Sequence, residues 1–126
     1  MEIKLDPHQY EYSYTKCLEK LEISSISERN RKLIRRFNDN SVREGLSKPR
    51  LIKLVETMVL ITKILDKDLD QVKKKDVERF VTVIQEKNFS PHTKHDYKVI
   101  IKKFYKWFKG KNEEYPPEVK WIKATI

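Results

Sequence analysis

Five cationic or titratable side chains, His95, Lys98, Lys102, Lys106 and Lys109, recur at three- and four-residue spacing toward the end of the chain. On a helix they share one arc, across from the apolar residues grouped about Tyr97. Asp96 falls outside that arc, so no acid at i,i+4 offsets the repulsion between the lysines. An uncompensated row of cations suits a repeated anion, and the phosphate backbone of nucleic acid is the natural one. His92 lies three residues before His95, close enough to share a metal, with Asp96 adjacent. Zinc needs three or four converging ligands, and the lone Cys17 falls on an apolar stripe, so the two histidines read as surface donors to bases or phosphates. Tyr10, Tyr12 and Tyr14 have rings that stack on bases, although Tyr10 and Tyr14 also fit the core side of a helix.

Groups for bond-breaking chemistry are missing. No G-x-S-x-G, H-E-x-x-H, P-loop or paired-cysteine motif occurs, and the acids from Asp66 to Asp70 sit in a charged turn without a histidine nearby. The residues therefore predict no catalytic site, no metal and no cofactor.

Helices must position the arc, and five can be placed. Asp6-Pro7-His8-Gln9 supplies an N-cap and a first-turn proline for a helix near 7–22. Ser25-Ile26-Ser27-Glu28 fits a capping box for a second helix from about 26 into the stretch Asn38 to Ser41, with Gly45 as a possible C-cap. A third, about 48–65, follows Ser47 and is apolar nearly all round, which predicts burial on several sides. A fourth, about 74–87, buries Val77, Phe80, Val81 and Ile84 but begins at Lys73, a poor cap. The fifth has Ser90 as cap and Pro91 at its first position, and Gly110 ends it. The expected fold class is all-α, a small bundle of four to five helices.

Composition agrees. The chain has 126 residues, two glycines and five prolines, which leaves little room for tight hairpins and allows one compact domain. One cysteine excludes an internal disulfide, and no apolar run is long enough for a membrane span, so the chain reads as cytoplasmic. The formal charge of +9 is unevenly spread: residues 1–24 carry −2, 25–65 carry +6, 66–87 are neutral and 88–126 carry +5. Two basic blocks divided by a neutral one could meet on a single face and attract a polyanion.

The third and fifth helices repeat a pattern 43 residues apart, Gly45-Leu46-Ser47-Lys48-Pro49-Arg50 being answered by Asn88-Phe89-Ser90-Pro91-His92-Thr93. Two such helices can present their N-terminal turns, with outward N–H groups and positive dipole ends, to phosphate. These two runs, the segment Lys75 to Phe80, and above all Ser90 to Tyr97 continuing through Phe104 to Phe108, resemble the N-terminal core-binding domain of tyrosine recombinases, archaeal phage-type integrases in particular. The tail Tyr115 to Lys123 resembles the connector leading into their catalytic domain.

The resemblance, which covers about 26–123, implies a SAM-like bundle that clamps one face of duplex DNA, with the catalytic residues in a separate domain of the same parent chain. It implies three parts: a helical segment 1–24, a core-binding domain 25–110 and a connector 111–126. It also implies DNA contacts from Lys48, Arg50 and Lys53 on the third helix and from His92, Thr93, Lys94 and Lys98 on the fifth, to which the basic arc adds His95, Lys102 and Lys106. It further implies other recombinase protomers on DNA as partners and association with the nucleoid, with no membrane involved. Small helical bundles also serve as protein-docking modules, which is the alternative reading.

Overall fold

The computed structural model describes residues 7–124, and the expected cap at Asp6 lies outside them. Among the described residues the chain is all-α: α1 (Pro7–Glu22), α2 (Glu28–Arg43), α3 (Lys48–Leu65), a 3-10 turn (Leu69–Gln71), α4 (Lys74–Glu86), α5 (Pro91–Lys109) and the four-residue α6 (Pro117–Lys120). It divides into two compact units, 1–59 and 60–126, and the division falls inside α3 after Val59. α1 falls in the first unit and the tail in the second.

In the first unit the apolar stripes meet around Leu21, Ile34, Phe37 and Leu51, each essentially inaccessible to solvent. Asn38 Nδ2 donates to the Tyr14 hydroxyl at 2.6 Å, which gives that tyrosine a structural partner. The second helix starts two residues later than its capping-box signature indicates. Its N-cap is Ser27, whose Oγ accepts from the Asn30 N–H at 3.2 Å. Arg31 accounts for the shift: its guanidinium donates to the carbonyls of Ser24 at 3.1 Å and Ile26 at 2.7 Å, which holds 24–26 as a turn with Ile26 buried. At the other end, Gly45 takes φ +86° while Leu46 N–H reaches Ser41 O and Gly45 N–H reaches Val42 O, a Schellman ending that favours glycine.

The second unit packs Ile61, Leu65, Leu69, Phe80, Ile84 and Phe104 at its centre. Lys73 precedes α4 without offering a side-chain acceptor, and the helix begins there because Asp76 reaches back. Its Oδ2 accepts from the Lys73 N–H at 2.8 Å and from Lys67 Nζ at 3.0 Å, the returning half of a capping box, while the Asp76 N–H donates to the Lys73 carbonyl at 2.9 Å. Arg79 Nη2 donates to Leu65 O at 3.0 Å, and the buried Tyr105 hydroxyl to Leu69 O at 2.9 Å. α6 packs against both α4 and α5. The exposed exception on the apolar α3 is Leu60.

Candidate nucleic-acid interface

The leading turns of α5 form as their residue types dictate. Ser90 Oγ accepts from the Thr93 N–H at 3.2 Å and its hydroxyl donates to Thr93 Oγ1 at 3.0 Å, with Pro91 at the first helical position. Thr93 is therefore part of the cap. His92 and His95 are exposed and Lys98 is half-buried. His92 Nε2 stands 3.4 Å from Asp96 Oδ2, an ion pair when the imidazole is protonated. Lys94 is less available than expected: its ammonium donates to Gln85 O at 2.8 Å, at the carbonyl end of α4, where a cation also meets the helix dipole favourably.

The second half of the arc is not a free phosphate-binding face. Lys102 is buried, and its ammonium donates to the carbonyls of Ile122 at 3.0 Å and Ala124 at 3.3 Å. The ring of Tyr115 lies 4.6 Å from Lys102 Nζ and 4.9 Å from Lys106 Nζ, and Lys106 is half-buried. Glu118 brings a carboxylate to 3.7 Å from Lys109. The acid and the aromatic that the basic arc of α5 lacks are supplied by 115–124, folded back along the helix. Gly110 permits the reversal, because a Cβ there would collide with the carbonyl oxygens of Lys106 and Glu114. Asn112 and Glu113 complete it at φ 55° and 60°, and burial of Val119 and Ile122 anchors the returning segment. Lys102 is thus held by its own chain, and Lys106 stands half-buried beside the Tyr115 ring.

In the first unit, Arg50 and Lys53 are exposed on the opening turns of α3. Lys48 is half-buried, its ammonium 4.3 Å from the centre of the Tyr14 ring and 3.8 Å from Glu11 Oε1. The leading turns of α3 and α5 belong to different units. On α2, Arg29, Lys32, Arg36 and Arg43 are all exposed.

Titratable groups inside the units are shifted by structure. The Lys73 N–H, and then Lys67, hold the Asp76 carboxyl below the usual range. Burial pushes the Cys17 thiol up to about 11, leaving it protonated and unreactive at neutral pH. Burial, and after it the carboxylates of Glu118, Asp76 and Asp70, raises the Tyr105 hydroxyl, which makes it a poor nucleophile. Among the described residues, no three His, Cys, Asp or Glu side chains come together as a metal site, and no helix is long and apolar enough to cross a membrane. No family model, curated protein or solved structure matches the chain.

Proposed function

We propose that this chain is a DNA-binding module that grips the phosphate backbone of a duplex, in the manner of a SAM-like core-binding domain of a tyrosine recombinase, and that bond breaking belongs to a separate catalytic domain. The observation that carries the reading is the opening of α5: a Ser90-capped helix start whose positive dipole end carries two exposed histidines and the half-buried Lys98, in a chain of net charge +9. Arg50 and Lys53 present a comparable basic start on α3. Phosphate contacts fix position but do not read sequence, so binding should be weakly selective. The alternative, a protein-docking module, has no particular residue in its favour.

A salt titration of binding to a random duplex tests this. Four phosphate contacts give a log–log slope near −3.6, so affinity should fall roughly a hundredfold between about 50 and 200 mM salt. Affinity that is flat over that range, or no binding at the low-salt end, would exclude a phosphate-gripping role.

A further inference from the structure

We propose that the outer side of α1, carrying Tyr12, Lys16, Glu19 and Ile23, docks against the same side of a second copy of this chain, the two helices running antiparallel. The surface shares no residue with the proposed DNA contacts and is independent of that reading.

Four large apolar side chains are exposed among the described residues, and two of them stand on this side of α1, Tyr12 at 65% and Ile23 at 84%. Single exposed apolar residues are ordinary, whereas two on one stripe form the ends of a contact surface. Ile23 follows the last residue of α1 but keeps its helical place, since its N–H donates to Glu19 O at 3.3 Å. At 100° per residue the four side chains fall within an arc of about 60°, across from the buried Cys17 and Leu21. The two in the middle form an ion pair, Lys16 Nζ to Glu19 Oε2 at 3.3 Å, and both remain largely in solvent. The same ammonium lies 5.5 Å from the centre of the Tyr12 ring.

The order of these residues makes the stripe its own complement. Tyr12 and Ile23 lie equally far on either side of the midpoint between Cys17 and Leu18, and so do Lys16 and Glu19. A two-fold axis through that midpoint sets Tyr12 against Ile23 of the second copy and Lys16 against its Glu19, each contact occurring twice. The two ion pairs become an alternating ring of four charges, and an apolar pair leaves water at each end, about 16 Å apart. A parallel copy would set lysine against lysine and glutamate against glutamate, which like-charge repulsion opposes. Residues 1–24 are also the one net acidic stretch of a chain of charge +9, so two copies meet there with least repulsion. A lipid surface suits the stripe less well, because an ion pair separates its two apolar residues. One side of a 16-residue helix makes a contact at the small end of specific interfaces, so the association is weak.

Sedimentation equilibrium of the full chain without nucleic acid, at physiological salt and up to about 1 mM protein, tests this. The mean mass should rise with concentration from that of one chain toward that of two. Lys16→Glu alone or Glu19→Lys alone sets like charges across the axis and should keep the chain monomeric, while an equal mixture of the two variants, or a chain carrying both changes, should regain association. Tyr12→Gln with Ile23→Gln keeps the charges and should weaken association roughly a hundredfold, since each dimer loses four apolar side chains. Circular dichroism melting checks the fold. If a single charge variant melts early, the chain carrying both changes, which keeps the ion pair within each copy, and the Tyr12, Ile23 variant carry the test. A chain that stays monomeric throughout overturns the proposal, as does a mass that climbs past two chains. Association that survives in the Tyr12, Ile23 variant places the contact elsewhere, and a monomeric mixture of the charge variants excludes the antiparallel register; either result overturns it. So does uptake of a monomeric chain by phosphatidylcholine vesicles that is lost in the Tyr12, Ile23 variant, which would assign the stripe to a lipid surface.

Discussion

The ammonium of Lys102 donates to the carbonyl oxygen of Ile122 at 3.0 Å, fastening the middle of α5 to the residues that follow α6. A lysine spaced like a phosphate ligand is instead a fixing point for the returning chain, with the Ala124 carbonyl and the Tyr115 ring as further partners. A buried carbonyl that loses such a donor is left unsatisfied, so the contact matters more for stability than for binding.

Lys102→Ala should destabilise the protein by about 2 kcal/mol, the range for a hydrogen bond to a charged donor. Lys98→Ala, at a half-buried position on the leading part of the helix, should stay within roughly 0.5 kcal/mol. Urea unfolding of both variants measures the contrast, and equal midpoints would mean that the tail is not held through Lys102.

Asp76 ties stability to acid pH. Its folded pKa lies below the unfolded value of about 3.9, so its stabilising contribution is complete above that value and is lost as pH falls through the folded pKa. Asp76→Asn keeps an acceptor for the Lys73 N–H but removes the charge, and should flatten the dependence of stability on pH in the acid window. Asp76→Ala should also lose the cap, about 1 kcal/mol at neutral pH. Unfolding curves at neutral pH and at about pH 3 separate the two effects.

Tyr105→Phe removes the hydroxyl that donates to Leu69 O and should lower stability by about 1 kcal/mol. Because burial raises the folded pKa of Tyr105, its contribution is complete below the unfolded value of about 10 and is lost as pH rises toward the folded one. In an ultraviolet titration Tyr105→Phe should remove an ionisation that lies above the ordinary tyrosine range. Purified chain should not relax supercoiled plasmid. A relaxation activity abolished by Tyr105→Phe or Tyr115→Phe would show that the chain carries its own nucleophile.

The two glycines should fail differently on substitution. Gly110→Ala drives a methyl group into two backbone carbonyls and should cost about 1–3 kcal/mol, the range for overpacking. Gly45→Ala meets no atom but must hold a left-handed φ, at about 1 kcal/mol. Thermal melts of the two variants should rank Gly110→Ala lower, and the reverse order would place the tight turn elsewhere.

Local signals determined much of this protein. Ser90 with Pro91 sets the start of α5, Gly110 its end, and the stripes through Phe37 and Phe104 mark the sides of α2 and α5 that are buried, because caps and periodicity act within a few residues along one helix. The exposed start of α5, at His92 and His95, was legible for the same reason. Tertiary structure decided what a single helix cannot. Arg31 moved the start of α2 by satisfying two carbonyls of the preceding turn, Asp76 supplied a cap that Lys73 could not, and the tail brought Tyr115, Glu118 and two carbonyls onto lysines that looked unpartnered. A helical wheel counts only neighbours three and four residues away, whereas Lys102 meets its partner twenty residues later in the chain. Whether a row of cations faces solvent or its own chain depends on where burial of Val119 and Ile122 draws the backbone, and that is settled only when the unit packs.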